Sequence, residues 1–325
     1  MKISIILPIF NGEETLKECL DALFDIDYPK TLFEIVAVND GSSDATLEIL
    51  RKYKKVASEK KIRFAIINFN TNKGRIIARK TGAKKAIHNN LLFVDHRCIV
   101  DKDILREFRK IHYFPTIGNP YQDPDRDLLS RFFYVIRQRL YKPYYGQDFS
   151  DVYIREDNFD IVPKGFCPFF CEKSELLSSL PQKQGKNIND DTRIFKNMIK
   201  TKNILKTSVC RVEYLERTDL KDAITHIFNR GPKFIDFYFN VKSRYFISIL
   251  GVILLPIFLI VLSVISWKFL LFGMFVLLCL ISLCIVFLSY SFKDVLSLFL
   301  VGSIMTTIFV LGIYKGVIMK ILKKY

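Results

Sequence analysis

Two carboxylates and an amide stand where short apolar runs end. Asp40 follows Ile35-Val36-Ala37-Val38-Asn39, Asp95 follows Leu91-Leu92-Phe93-Val94, and Asn11 follows the run from Ile3. Continuous apolar runs of this length are the form of strands buried on both faces. In an open α/β sheet, ligands bind beyond the carboxyl ends of the strands. A carboxylate there can accept from a base N–H or a ribose hydroxyl, or hold a cation. A further acidic group, Asn189-Asp190-Asp191, lies in a polar loop ahead of a helix expected from about Thr192 to Lys200. Read by position alone, such a pair caps the helix.

The elements that position these groups follow from periodicity. Strands are expected at Ile3–Pro8, Phe33–Val38, Ile62–Ile67 and Leu91–Val94. Between them, Leu16, Cys19, Leu20 and Leu23 recur at helical spacing, with Asn11 read as the N-cap and Glu14 completing a capping box. A second helix runs from the Gly41-Ser42-Ser43-Asp44 turn to about Tyr53, and a third from Gly74 to about Ile87. This alternation implies a mostly parallel sheet with helices on both faces. Pro115–Asp160 is rich in Tyr, Pro, Asp and Arg, with a helix over Leu128–Tyr141 and loops of the kind that shape acceptor sites. Ile161–Phe170 reads as a strand entering a Gly-containing turn. No Gly-x-Gly-x-x-Gly follows the first strand and no Walker motif occurs.

The chain has 325 residues and a net charge of +16. Hydrophobic residues make up 50%, concentrated after Arg244. Residues 1–230 read as a catalytic domain, 231–244 as a juxtamembrane linker, and 245–325 as a transmembrane region. Its apolar segments, Tyr245–Ser266, Phe269–Tyr290 and Val295–Tyr314, are each near the ~20 residues that cross a bilayer. Most of the positive charge lies upstream of them, which suits anionic lipid or a phosphate-bearing ligand. Nucleic acid is not expected, because no finger, helix-turn-helix or RNP-like motif appears. A cytoplasmic N-terminal domain with three spans puts Lys320–Lys324 outside, whereas the positive-inside rule prefers them inside. A re-entrant or interfacial first segment, the one carrying Pro256, would reconcile the two. The seven cysteines form no zinc pattern and are expected to be reduced. Met1-Lys2 leads straight into a strand, so no signal peptide is expected.

Ile5-Ile6-Leu7-Pro8-Ile9-Phe10-Asn11-Gly12-Glu13-Glu14-Thr15-Leu16, Val38-Asn39-Asp40-Gly41-Ser42-Ser43-Asp44-Ala45-Thr46, and Asn72-Lys73-Gly74-Arg75 with Ala78-Arg79-Lys80-Thr81-Gly82-Ala83 occur in that order. Together they resemble the family 2 glycosyltransferases of the GT-A fold, strongly over roughly the first hundred residues and weakly to about Gly231. With the C-terminal apolar segments, the whole resembles membrane-bound members that act on lipid-linked or polysaccharide acceptors. The resemblance implies an α/β nucleotide-diphospho-sugar transferase domain followed by transmembrane helices. It implies that Asp40 contacts the nucleotide base and that Pro8 to Asn11 line the same pocket. Lys73 and Arg75 would approach the diphosphate, although the same pair would also make an ordinary solvated loop.

Asp95-His96-Arg97 occupies the family's Asp-x-Asp position, whose carboxylates hold Mg²⁺ or Mn²⁺. Arg97 stands where the second Asp is common. Either Asp95 holds the ion with diphosphate oxygens and water, or Arg97 supplies the positive charge and metal dependence is weak. Asp190-Asp191 matches the family's acidic pair, with Asp191 as catalytic base. Gly165, in Val162-Pro163-Lys164-Gly165-Phe166, would line the acceptor side. Arg230 is what remains of a Gln-x-x-Arg-Trp motif and would meet diphosphate or lipid headgroups. The loss of that motif argues against a processive synthase. The expected activity is inverting transfer of a single sugar from a nucleotide-diphosphate sugar to a lipid-linked glycan or polyprenyl phosphate. A polysaccharide synthase-like transferase and a non-catalytic scaffold of the same fold are the alternatives. The expected location is the cell membrane, multi-pass, with the catalytic domain in the cytoplasm.

Overall fold

The computed structural model describes residues 1–146, 149–182, 190–217 and 219–322, the side chain of Asp190 excepted. Strands form at β1 (Ile3–Ile9), β2 (Phe33–Asn39), β3 (Arg63–Asn68), β4 (Asn90–Phe93), β5 (Cys98–Val100), β6 (Thr116–Tyr121), β7 (Val152–Ile154), β8 (Phe169–Glu172) and β9 (Ile204–Tyr214). Helices form at α1 (Leu16–Phe24), α2 (Thr46–Glu59), α3 (Arg75–Lys85), α4 (Ile104–Ile111), α5 (Leu128–Leu140), α6 (Lys173–Ser179), α7 (Asp190–Met198), α8 (Leu220–Tyr238), α9 (Phe246–Ile265), α10 (Trp267–Leu288), α11 (Phe292–Ser297) and α12 (Ser303–Ile321). They make two compact units. One is built from Met1–Gln122 and the described residues between Tyr141 and Glu216; the other from Asp123–Leu140 and the described residues from Arg217 onward.

In the first unit the strands join one sheet in the order β3-β2-β1-β4-β8-β6-β9-β5, with β7 added on β9. β1 is central and every one of its residues is buried, the single polar one, Ser4, included. It pairs in parallel with β2 on one side and β4 on the other. The chain therefore leaves β1 in one direction through β2 and β3, then returns to start in the other direction with β4. That reversal opens a crevice at the carboxyl ends of β1 and β4. Beyond β4 the pairing changes: β8 runs antiparallel to both β4 and β6. The parallel character anticipated from the four N-terminal strands holds throughout that half of the sheet; in the other half β6 and β9 also run parallel, between antiparallel neighbours. Buried polarity is satisfied at Glu34. This residue, 1% exposed, accepts from Ser4 Oγ (2.6 Å), Arg63 Nε (3.2 Å) and Ile87 N (2.6 Å).

Two local expectations are corrected. Asn11 is not a helix N-cap: α1 begins at Leu16 after Thr15, and Asn11 adopts φ 48°. Its side chain is used across loops instead, as described below. Of the strand expected over 161–170, only the end joins the sheet, as the start of β8. The rest is held by aromatic packing, because Phe166 meets Phe93, Phe169 and Phe195 at 4.9–5.4 Å between ring centroids.

The second unit contains three helices long and apolar enough to cross a membrane, Phe246–Ile265, Trp267–Leu288 and Phe292–Ile321. The first continues as a helix through Pro256. Lys323 and Lys324 lie outside the described residues. The unit also takes in α5 and α8, so the linker expected at 231–244 includes the second half of α8. Arg131 of α5 joins Asp294 (2.7 Å), while Arg139 donates to the carbonyls of Leu288 (2.9 Å) and Ser289 (3.2 Å). α8 crosses α12 at glycines: a Cβ on Gly231 would lie 2.1 Å from the Gly312 carbonyl carbon. Backbones approach this closely only where side chains are absent.

This packing bears on stability at two places. Gly231→Val is expected to lower the melting temperature in detergent by several degrees; an unchanged melt would show that α8 and α12 separate at no cost. The second place is Lys206 on β9, 3% exposed, which donates to the Gly118 carbonyl. Burial pushes its ammonium down to about 7, against about 10.4 in an unfolded chain. Between those values the unfolded chain binds the extra proton, so stability rises with pH across roughly 7 to 10. Lys206→Met should raise the melting temperature at pH 7 and flatten its rise from pH 7 to 9; a parallel curve would refute the assignment.

Candidate active site

The strand-end loops are tied to one another by side chain to backbone bonds. Asn11 N donates to Ser42 Oγ (2.9 Å) and Asn11 Oδ1 accepts from Ser43 N (3.0 Å). Gly12 N donates to Thr46 Oγ1 (2.8 Å), and Glu13 N to Asp44 Oδ2 (3.0 Å). Asp40, 3% exposed, accepts from Lys73 N at Oδ1 (2.7 Å) and from Gly74 N at Oδ2 (2.9 Å). Gly41 has φ 69°, and a Cβ on it would lie 2.3 Å from the Thr71 carbonyl carbon. Asp40 thus fixes the Asn72–Arg75 loop while its neighbour clears space for it. Pro8, buried opposite Val38, is the last residue but one of β1, behind these loops. Lys73 lies with Nζ 4.7 Å from the Phe69 ring centroid.

The other side of the crevice is organised by an arginine. α3 starts at Arg75 after Gly74, whose φ is 96°. Residues four apart share a helix face, so Arg75 and Arg79 lie one above the other. α3 comes close to β1 because Gly82 presents no Cβ; one placed there would lie 2.6 Å from Ile6 Cγ2. Arg79 is 2% exposed. Its Nη1 donates to Asp191 Oδ1 at 2.5 Å and its Nη2 to Asp95 Oδ1 at 3.4 Å. Its guanidinium lies 4.1 Å from the Phe166 ring centroid. Arg75 Nη2 is 3.7 Å from Asp191 Oδ2. Two carboxylates distant in sequence therefore meet on one buried cation.

Each carboxylate is positioned by its own element. Asp95 follows β4, and its backbone is held by sulfur: its N–H donates to Cys167 Sγ (3.3 Å) and its carbonyl accepts from Cys19 Sγ (3.7 Å). Burial pushes the Cys19 and Cys98 thiols well above their usual range, which leaves them neutral. All seven cysteines are free. Asp191 stands in the first turn of α7, whose Phe195 packs on Phe166 (4.9 Å) and Phe169 (5.1 Å). Aromatic pairs of this kind each contribute about 0.5–1.5 kcal/mol beyond area burial. Asn189 lies outside the described residues, as does the side chain of Asp190.

The remaining expected residues are placed differently. Arg97 is 8% exposed, and its carbonyl accepts from Leu215 N (2.7 Å). His96 faces Thr15, with Nδ1 3.1 Å from Thr15 Oγ1. Gly165 has open space where a Cβ would be, so no protein contact demands glycine there. Arg230 belongs to the second unit, exposed on α8. Arg79 enters the sequence reading only as part of a motif, with no role of its own. Its signal is there nonetheless: an arginine three after Ile76 and four before Ala83, among the small or apolar residues that α3 buries.

These residues fit a divalent cation poorly. No group of three or more His, Cys, Asp or Glu able to hold a metal occurs among the described residues. Asp95 would be its single carboxylate from the Asp-x-Asp position, and one of its oxygens faces Arg79.

Comparisons with known proteins agree with this architecture. Residues 4–162 match the family model described as Glycosyl transferase family 2. The chain is 36% identical over 108 residues to the poly(ribitol-phosphate) beta-N-acetylglucosaminyltransferase TarS of Staphylococcus aureus, covering 33% of this chain and 18% of that protein. It is 30% identical over 123 residues to the poly-beta-1,6-N-acetyl-D-glucosamine synthase of Staphylococcus epidermidis, covering 36% of this chain and 28% of that one. The matches thus span less than a third of these relatives. Among solved structures, S. aureus TarS 1-349 in complex with UDP-GlcNAc aligns with TM-score 0.52 at 20% identity over 73% of this chain and 67% of that one. The mannosyltransferase PcManGT from Pyrobaculum calidifontis, in complex with GDP-Man and Mn²⁺, aligns with TM-score 0.62 at 16% identity over 97% of this chain and 87% of that one. With a GT-A α/β sheet, the three strand-end motifs and an apolar helical region after them, the chain carries a glycosyl transferase family 2 domain over residues 4–162.

Proposed function

We propose that this chain is a membrane-anchored, inverting glycosyltransferase. It moves a single sugar from a nucleotide-diphosphate sugar to a membrane-associated acceptor, a lipid-linked glycan or polyprenyl phosphate. The observation that carries this reading is the meeting of Asp95 and Asp191 on Arg79 at the mouth of the crevice between β1 and β4. In this reading Pro8, Asn11 and Asp40 serve the nucleotide, Lys73 and Arg75 meet the diphosphate, and Asp191 acts from the acceptor side, with Gly165, where a Cβ would meet open space, beside the acceptor.

In the reaction the acceptor oxygen attacks the anomeric carbon, the bond to the diphosphate breaks, and the acceptor proton passes to Asp191. Its Oδ1 is anchored by Arg79, while Oδ2 lies 3.7 Å from the Arg75 guanidinium. A carboxylate fixed in place through one oxygen is suited to general-base work, which contributes about 10²–10⁴-fold. Membrane attachment is supported by α10, of whose 22 residues none is buried. So much exposed apolar surface needs a lipid solvent. The catalytic unit would sit on the cytoplasmic face, where nucleotide sugars are made available. The relatives named for polymer substrates support a second reading, in which the acceptor is a growing polysaccharide.

Asp191→Asn should reduce sugar transfer from UDP-GlcNAc or GDP-mannose to membrane extracts by about 10²-fold or more, with nucleotide affinity kept within about threefold. The amide keeps the shape and can still accept from Arg79. Undiminished transfer would leave Asp191 structural. Gly41→Ala forces a side chain at positive φ into the Thr71 backbone, a strain of about 1–3 kcal/mol. It should lower both the melting temperature and nucleotide affinity; a loss of stability with intact affinity would remove this loop from the nucleotide pocket.

A further inference from the structure

We infer that guanidinium groups, Arg79 and Arg75 foremost, supply the counter-charge for the donor's diphosphate in this chain, and that donor binding does not depend on a divalent cation. The inference rests on the proposed nucleotide-sugar function and concerns the same crevice.

Four observations support it. First, the place a metal would take is compromised on the protein side. Asp95 has Arg97 two residues on instead of a second carboxylate, and its Oδ1 already faces Arg79 at 3.4 Å. A cation delivered to Asp95 would meet an arginine that is 2% exposed and cannot retreat into water. Second, Arg79 has unused donor capacity. A guanidinium carries five N–H donors; Nη1 and Nη2 reach the two carboxylates, but Nε, although buried, has no hydrogen-bond partner among the described residues.

Third, Arg75 is placed to change partner. It is 52% exposed and 3.7 Å from Asp191 Oδ2. An ion pair this open to water is weak and exchanges readily for a phosphate oxygen. Arginine suits this task because its planar fork matches phosphate geometry. Fourth, α3 begins at Arg75, so its positive N-terminal end adds to the guanidinium charge. Withdrawal of Arg75 from Asp191 would also loosen the base as the donor arrives, coupling donor binding to readiness for proton transfer.

The test is calorimetric titration of the full chain in detergent with UDP and GDP, and with UMP and GMP as controls, in Mn²⁺ or in EDTA. The diphosphate that binds should do so with affinities within about threefold in the two buffers. Arg75→Ala, an exposed position that should not disturb folding, should weaken the diphosphate by about tenfold or more and the monophosphate by less than about threefold. Arg79→Lys, with its melt measured alongside, should act in the same direction. An affinity that falls tenfold or more in EDTA overturns the inference and leaves the proposed function standing. Arg75→Ala with parental diphosphate affinity overturns the guanidinium role. Failure of every nucleoside diphosphate to bind in either buffer overturns both the inference and the function on which it rests.

Discussion

A guanidinium that is 2% exposed is the constraint around which the crevice is arranged. Removing such an ion from water costs several kcal/mol even after relaxation, and the surroundings must return that energy locally. Here they do so with a charge-assisted hydrogen bond of 2.5 Å, a second carboxylate at 3.4 Å and an aromatic face at 4.1 Å. None of these could be supplied by α3 itself. Burial of Arg79 therefore requires that the end of β4, the first turn of α7 and the 161–168 segment all reach it together. Lysine could not substitute: a point charge on a flexible stem neither forks between two carboxylates nor stacks flat on Phe166.

The opposite wall works by the complementary device, a buried carboxylate whose partners are backbone amides. Asp40 holds Lys73 N and Gly74 N, and this orients the chain as it enters α3. The same loop therefore sets the position of Arg75 and, one turn later, of Arg79. The Asp40 wall and the cationic wall are mechanically one object, joined by α3. Its close seat on β1 at Gly82 prevents the helix from rising away from the sheet. Preorganisation of this kind lowers the cost of assembling the reacting groups once substrate is present.

The legible parts of the sequence are those governed by local periodicity. β1, β2, β3 and β4 fall within a residue or two of their apolar runs, and α5 ends one residue before the expected Tyr141. The strand-end residues Asn11, Asp40 and Asp95 lie at the crevice because strand direction alone puts them there. What local pattern could not show is whatever depends on distant partners. Arg79 gains its meaning from Asp191, 112 residues away. Asn11 reads as a helix cap because Glu14 follows it, yet its oxygen is taken by Ser43 N from the next loop. The run from Ile161 to Phe170 is apolar enough for a strand, but aromatic packing around Phe166 satisfies much of that apolarity without a ladder. α5 reads as one more helix of the catalytic region until Arg131 finds Asp294.

The second unit carries three helices long and apolar enough to cross a membrane, and polar contacts gather at the end of α10. The carbonyls at the end of a helix have no partner within it, and in hydrocarbon each unsatisfied group would cost several kcal/mol. At the end of α10 the carbonyls of Leu288 and Ser289 are met by Arg139, whose guanidinium also stacks on Tyr290 at 3.6 Å. A few residues on, Asp294 accepts from Tyr290 N (2.9 Å) and Ser291 N (3.0 Å), caps α11 and receives Arg131. Charged and aromatic groups thus gather in a narrow band, while the twenty-odd residues of α10 before it carry exposed apolar side chains. In the proposed membrane setting such a band is where a helix leaves lipid for water, since Tyr and Arg are side chains suited to that boundary. In the proposed setting α5 is the element that marks it, for its arginines reach the band from a helix whose own sequence is too short and too charged to cross.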